Sequence, residues 1–290
     1  MSGEDWQVWT PGRYQLAEGA RWYDGRLTFV DLLQGTLNVC HPARPAVPRR
    51  ALDLGVPLGA VAPVAGRAGE WLVAAGTGIA RVGGDGRPDW LARPEQDAGQ
   101  PMRMNDAACD PAGRFWATSM ASTAAPGAGS LYRVDTDGTV HRVLGDLTIP
   151  NGPAFDPAGR ILYLADSARS AITRYPLDPA TGALGAGRLF ATVAPGDGRP
   201  DGMTVDDRGF LWVAMWGAGR IHCYAPDGRL STTVTVPTPH VSSIAFGGGR
   251  MFVTTALHRL ALPDPLAGAV LVRRCRTTAP PVAPYGSSGG

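Results

Sequence analysis

RMNDAACDPAGRFW, residues 103–116, is one of four related stretches in the chain. The others are PNGPAFDPAGRILY at 150–163, PDGMTVDDRGFLW at 200–212 and, more loosely, EGARWYDGRLTF at 18–29. Each contains a polar residue, a short apolar segment, a turn of Asp and Gly, and a second apolar segment. Stretches that recur in this way predict a fold built from repeated units.

The repeat has a period near 45 residues, measured between the first apolar residues that follow each turn. These residues are Leu27, Trp71, Phe115, Ile161, Leu211 and Met251, separated by 44, 44, 46, 50 and 40 positions. That spacing is typical of propeller blades with four strands each. The segments are short and rich in β-branched and aromatic residues, and no long segment has the 3.6-residue apolar period of a helix. We therefore predict an all-β fold, a six-bladed β-propeller with four antiparallel strands per blade.

We expect a single domain over residues 1–278. The remaining stretch, APPVAPYGSSGG at 279–290, has the composition of a disordered tail. It is therefore left out of the predicted propeller.

The bulk composition excludes several classes of protein. A formal net charge of +2 gives no reason to expect nucleic acid or a membrane surface as a partner, and no apolar run reaches 18 residues. The first residues, MSGEDWQVWTPGRYQL, lack the basic and apolar regions of a signal peptide. Four cysteines without CxxC spacing predict free, mostly buried thiols. A cytoplasmic protein is the expectation, and the sequence leaves its oligomeric state open.

The polar residues of the repeat share one offset. Asn105, Asn151 and Asp201 each stand 10 residues before the first apolar residue after their turn, and Glu18 stands 9 before it. The innermost strand of each blade lines the central channel, so the residue just before that strand should stand at the channel mouth. Because rotation about the axis brings equal offsets to equal height, these four side chains should converge.

Two carboxylates and a carboxamide oxygen fit a divalent cation such as Ca, Mg or Mn, and Zn as well. Alternatively, the four residues only hydrogen-bond loop backbones and cap the channel. Arg103 could reach the same mouth, where a guanidinium suits a polyhydroxylated or anionic substrate, or it could form an ordinary surface ion pair. Trp216 and Trp22 could wall the pocket or pack between blades.

Other catalytic chemistry has little support in the sequence. The five histidines form no HxH or HExxH pattern, and the chain has no GxSxG and no Walker loop. No cysteine has an obvious histidine partner. DTDGTV at 135–140 resembles the start of a calcium loop, but Val140 replaces the required glycine, so a hairpin turn is the better interpretation.

The motifs resemble those of the regucalcin/gluconolactonase family, which also includes luciferin-regenerating enzymes. The resemblance runs from about Glu18 to Ala256 and includes PDGMTVDDRGFLWVAMWGAGR and FGGGRMFVTTA as well as the stretches quoted above. It implies a six-bladed propeller with one divalent cation on its axis. The ligands it implies are Glu18, Asn151 and Asp201, and the residues that bind the lactone are Arg103 and Asn105. It also implies that Asp201 is the base that readies water.

The chain departs from the family pattern at three positions. Ala20 and Ala107 stand where proline and glycine are usual. Thr123 stands where some members have an acidic residue that contacts the substrate. The implied metal site is intact, whereas an uncharged Thr123 at the substrate-binding position suggests a less hydroxylated or differently sized substrate than gluconolactone.

The resemblance thus implies a hydrolase of carbohydrate metabolism that opens an aldonolactone or a related small lactone with one divalent cation (Ca, Zn, Mg or Mn). Two alternatives remain at this point. The same polar site could serve another electrophile, such as a phosphotriester or an intermediate of secondary metabolism. It could also belong to a metal-dependent binding protein without turnover.

Overall fold

Six antiparallel sheets of four strands each form the structure, a computed structural model that describes residues 6–44 and 46–287. Blades 1 to 3 contain β2 (Ala17–Tyr23), β3 (Arg26–Asp31), β4 (Thr36–Cys40), β5 (Arg49–Asp53), β6 (Leu58–Pro63), β7 (Trp71–Ala75), β8 (Gly78–Val82), β9 (Pro88–Ala92), β10 (Met102–Cys109), β11 (Phe115–Ala121), β12 (Gly129–Val134) and β13 (Val140–Leu147). Blades 4 to 6 contain β14 (Pro150–Phe155), β15 (Ile161–Asp166), β16 (Ala171–Pro176), β17 (Arg188–Thr192), β18 (Arg199–Val205), β19 (Leu211–Trp216), β20 (Arg220–Tyr224), β21 (Leu230–Thr235), β22 (Val241–Gly247), β23 (Arg250–Thr255), β24 (Val270–Arg274) and β1 (Gln7–Thr10). A 3-10 helix spans Ser167–Arg169. The predicted six-bladed all-β fold is confirmed.

The ring is closed by strands from both ends of the chain. β1 pairs with β24 at the outer edge of blade 6, so the sheet of that blade has the order β1-β24-β23-β22. This pairing joins residues near the start of the chain to residues near its end, and it closes the ring of sheets.

The repeated Asp of the DPAGR motif structures the turn between the first two strands of a blade. Asp110 accepts the backbone N–H of Arg114 at 3.0 Å and the indole N–H of Trp116 at 3.0 Å. Asp206 repeats the indole contact with Trp212 at 3.1 Å in blade 5. The motif recurs because this turn needs an acceptor with two oxygens to satisfy backbone and side-chain donors together.

A β-bulge or similar irregularity interrupts the pairing of the innermost strand of every blade. The register shifts just after Glu18, Leu58, Met104, Asn151, Pro200 and Val241. A bulge adds an unpaired residue and re-aims the neighbouring side chains. Two of the bulges use glycine in the left-handed region, Gly19 at φ 59° and Gly152 at φ 48°.

The polar residues expected just before the inner strands lie inside them instead. Glu18, Asn105, Asn151 and Asp201 belong to β2, β10, β14 and β18, which begin two to four residues earlier than the sequence suggests. The sequence pattern misses this because pairing continues on the far side of the bulge, where the apolar alternation is broken.

Apolar side chains fill the space between neighbouring blades. One cluster joins blades 4 and 5 through Tyr163, Phe190, Met203 and Val213, all buried. Trp22 also packs in the core, stacked on Phe252 with ring centroids 5.2 Å apart. The alternative of packing between blades is therefore the right one for Trp22, which does not wall the pocket.

The prediction of a disordered tail from residue 279 is wrong for residues 279–287, and 288–290 lie outside the described residues. Tyr285 is 1% exposed, and its backbone N–H donates to Pro63 O at 2.8 Å. Its hydroxyl donates to Asp135 O at 2.8 Å. Composition could not reveal that a slot between blades 2 and 3 accepts one aromatic ring, which offsets the cost of ordering a Pro- and Gly-rich segment.

All four cysteines are free thiols, as expected. Cys40 and Cys223 are buried, while Cys109 and Cys275 are half-buried. Burial raises the pKa of Cys40 and of Cys223 to about 12, so these thiols stay protonated at neutral pH. Neither one is suited to act as a nucleophile.

Candidate functional site

Four buried polar side chains meet where the inner strands of blades 1, 3, 4 and 5 face the axis. We call Glu18, Asn105, Asn151 and Asp201 the cup; each is at most 7% exposed. They come together because every inner strand carries its bulge at the same height, and the bulge turns the polar side chain toward the axis. The predicted convergence thus follows from the rotational repeat.

A chain of hydrogen bonds crosses the cup from blade 3 to blade 5. The Arg103 guanidinium donates to Asn105 Oδ1 at 2.6 Å, and Asn105 Nδ2 donates to Asn151 Oδ1 at 2.7 Å. Asn151 Nδ2 then donates to Ser167 Oγ at 2.9 Å, and this hydroxyl donates to Pro200 O at 2.6 Å. Since Asn151 Nδ2 is held by Ser167, its carboxamide oxygen faces Asn105 and keeps one lone pair free.

Simultaneous ionisation of the two carboxylates of the cup costs free energy, because both are buried and their negative charges repel each other. Burial raises the pKa of Glu18 well above its ordinary value, and the charges of Asp201 and Asp106 raise it further. Burial likewise raises the pKa of Asp201, followed by the charge of Asp106. Arg103 opposes both shifts. A positive charge among these groups is what would keep both carboxylates ionised.

The surroundings of one carboxylate oxygen in the cup show whether the site is suited to a cation. Glu18 Oε2 is buried and has no hydrogen-bond partner within the described residues. Buried polar atoms without partners are rare and need an explanation, of which an ion is one. Together with Asp201 and Asn151, this atom completes an all-oxygen donor set of the kind hard divalent cations prefer. Within residues 6–44 and 46–287 no three His, Cys, Asp or Glu group in a metal-binding arrangement, so a cation here needs the carboxamide.

The sequence-predicted rim residues lie at the same end of the channel. Arg103 pairs in register with Met120, and Thr123 follows β11 two residues after its last residue, Ala121. Thr123 is exposed. Trp216 ends β19 at this mouth and stacks on His240 with ring centroids 4.1 Å apart.

Three functional neighbours were missed by the sequence reasoning. Ser167 orients Asn151, as described above. Asp106 accepts the N–H of Gly152 at 3.0 Å, and Arg21 lies 3.8 Å from its carboxylate. Asp106 follows Asn105 directly in the repeat, at the place held by glycine after the other three cup residues. This difference between the repeats was the signal in the sequence that could have singled out Asp106.

A cavity of about 590 Å³ near Arg49 and Glu70 lies between blades 1 and 2 and shares no residue with the cup.

None of the helical structure found across the described ranges is long and apolar enough to cross a bilayer. The cup is the candidate functional site because carboxylate and carboxamide side chains converge in it.

The fold and the cup define a class: a six-bladed propeller with carboxylate and carboxamide groups on its axis. Residues 16–257 match the model of the SMP-30/Gluconolactonase/LRE-like region, and the chain belongs to that family. It is 36% identical over 252 residues to pentonolactonase XacC of Haloferax volcanii, covering 83% of this chain and 82% of the relative. It is 30% identical to the 6-deoxy-6-sulfogluconolactonase of Pseudomonas putida, covering 86% of each chain.

A solved structure agrees with the fold over nearly the whole chain. The calcium-binding protein regucalcin from Agrobacterium tumefaciens superposes with a TM-score of 0.87 at 27% identity, covering 96% of both chains. The resemblance to the regucalcin and gluconolactonase family is confirmed.

Proposed function

We propose that this protein is an enzyme that hydrolyses a sugar lactone with one divalent cation held by Glu18, Asn151 and Asp201. The observation that carries the proposal is Glu18 Oε2, which is buried near a second carboxylate and has no hydrogen-bond partner in the part of the chain that the structure describes. Support for the reaction comes from relatives named as lactonases, and support for a cation comes from the calcium-binding regucalcin. An all-oxygen donor set suits Ca, Mg or Mn, and Zn also accepts such ligands.

When bound, the cation would polarise the lactone carbonyl and lower the pKa of a nearby water. The side chains of this chain do the rest. Arg103 and Asn105, already joined by a 2.6 Å hydrogen bond, bind the ring and its hydroxyls and hold the carbonyl carbon in place. Their contribution is orientation, since neither forms a covalent bond with the substrate.

The Asp201 carboxylate accepts a proton from water as the water oxygen attacks the carbonyl carbon. The bond between that carbon and the ring oxygen then breaks, and the proton passes from Asp201 to the ring oxygen. The product is the open hydroxy acid, which ionises in solution and acidifies the medium.

The proposal is tested by a pH-indicator assay on a lactone panel, with metal analysis of protein purified without chelator. We expect Asp201→Asn to lower kcat by about 10²- to 10⁴-fold, the range typical of a lost general base. Glu18→Gln should instead weaken cation binding, so that more cation is needed to reach full turnover. Asp207→Asn is the matched control, because Asp207 is an exposed carboxylate in the turn after β18, the strand that carries Asp201. Full turnover by thoroughly chelated, metal-free protein would refute the mechanism.

The same samples address the two alternatives. A phosphotriester included in the panel and hydrolysed in preference to every lactone would reassign the reaction. Tight binding of a lactone without ring opening would make the protein a binding protein instead.

A further inference from the structure

The loop after β23 is fixed to the chain segment that leads into the strand of Glu18. The N–H of Leu257 donates to Tyr14 O at 3.2 Å, and the N–H of His258 donates to Gln15 O at 2.9 Å. Tyr14 and Gln15 lie three and two residues before Ala17, the first residue of β2. The loop therefore lies on the same end of the channel as the cup.

Arg259 stands at the tip of this loop, in a turn closed by the Leu260 N–H on Leu257 O at 3.1 Å. Its φ of 62° lies in the left-handed region, where glycine is the residue of least strain. The side chain is exposed and, within residues 6–44 and 46–287, makes no ion pair or hydrogen bond. Burial lowers the pKa of the Arg103 guanidinium, and the positive charge of Arg259 lowers it further.

With a divalent cation bound, Arg103 and the charged groups that act on it would carry a net positive charge. The charged groups that act on Arg103 are Glu18, Asp201 and Arg259. A divalent cation in the cup would neutralise the two carboxylates, and Asp106 lies opposite Arg21 below them. Neither Arg103 nor Arg259 forms a salt bridge with a carboxylate of residues 6–44 or 46–287.

Asp264, the acidic residue of the same loop, accepts the Thr238 hydroxyl at 2.7 Å and the Leu266 N–H at 2.8 Å. Thr123 is uncharged, and burial lowers the pKa of His258, with the charges of Arg259 and Arg103 lowering it further, so this imidazole is neutral at pH 7. The backbone carbonyl of His258 lies 3.0 Å from His240 Nδ1, which ties the loop to blade 6. Guanidinium groups in such a setting prefer carboxylate, sulfonate or phosphate oxygens.

We infer that Arg259 is a specificity-determining residue for a lactone that carries an anionic group away from its ring carbonyl. This inference rests on the proposed lactone hydrolysis and narrows its substrate class. Arg259 binds the anionic group at the rim, while Arg103 and Asn105 hold the ring deeper in the cup. The backbone of Arg259 is in the left-handed region, which favours glycine, so the presence of arginine there places a positive charge in this loop at some cost in strain.

The test compares a neutral aldonolactone with the same ring bearing a terminal carboxylate, sulfonate or phosphate. We expect kcat/KM at least about tenfold higher for one of the anionic substrates, with KM rising as salt is added. Arg259→Gln should raise KM for that substrate about tenfold and change kcat and the neutral reaction less than twofold. Arg259→Lys should retain part of the preference.

The matched control is Arg160→Gln, which removes an exposed arginine from the turn between β14 and β15 at the opposite face. It should leave every rate unchanged. Equal rates on neutral and anionic lactones, or equal losses on both in Arg259→Gln, would overturn the inference and leave lactone hydrolysis standing. Failure to open any lactone would instead overturn the proposed function.

Discussion

Glu18→Gln should stabilise the protein without cation and weaken its response to cation. The variant keeps the shape of the side chain and removes a buried charge whose Oε2 has no partner in the described structure. The folded-state pKa of Glu18 is raised above its usual value near 4.5. The stability from its protonated form is therefore complete below pH 4.5 and lost as pH rises through the higher folded value.

The magnitude follows from the cost of leaving a buried polar group unpaired, which is about 1–3 kcal/mol and more for a charged one. We expect the variant to be more stable than wild type by about 2–3 kcal/mol at pH 8 in chelator. For a chain of this size that is about 4–6 °C in Tm, at roughly 2 °C per kcal/mol. Wild type should gain about 2.7 kcal/mol at a cation concentration of 100 times Kd.

The assay is thermal unfolding of both proteins from pH 4 to pH 9, in chelator and across a cation titration. The two melting temperatures should converge at pH 4, where the carboxyl of wild type is protonated. Equal stabilisation of both proteins by cation, or a variant less stable than wild type at pH 8 in chelator, would refute this account of the cup.

Three further predictions concern the scaffold, each measured by urea unfolding. Tyr285→Ala should cost about 3 kcal/mol and Tyr285→Phe about 1, because only the former empties the slot; equal losses would contradict this. Gly152→Ala should cost more than about 1 kcal/mol, since its φ is 48° and a Cβ would lie 2.7 Å from Met203 N. Asp106→Ala should cost about 3 kcal/mol and slow hydrolysis, whereas unchanged stability would show that its carboxylate is not needed.

The inner strands show how far sequence reasoning extends toward the site. The repeat predicted six blades and the convergence of Glu18, Asn105, Asn151 and Asp201, because equal offsets in a rotational repeat reach equal height. It placed these residues just before the strands, because a bulge leaves no periodic signal in a chain already interrupted by glycine. Ser167 and Arg21 were missed since each acts through a neighbour from another strand or blade.

The tail was misjudged for a related reason. The composition of a Pro- and Gly-rich segment, taken alone, predicts disorder. Tyr285 is ordered because blades 2 and 3 leave a slot that fits its ring and a carbonyl that accepts its hydroxyl hydrogen. Neither feature exists until the blades have packed.

The sequence by itself predicted the number of blades, the four antiparallel strands in each and the convergence of four polar residues on the axis. These depend on local turn chemistry and on a period, and both are present in the linear chain. Tertiary structure decided which carboxylate oxygen lacks a partner among the described residues, which way the Asn151 carboxamide points and that the loop of Arg259 is bonded to the segment before β2. Those properties arise from burial and from contacts between distant segments, which no single stretch of sequence contains.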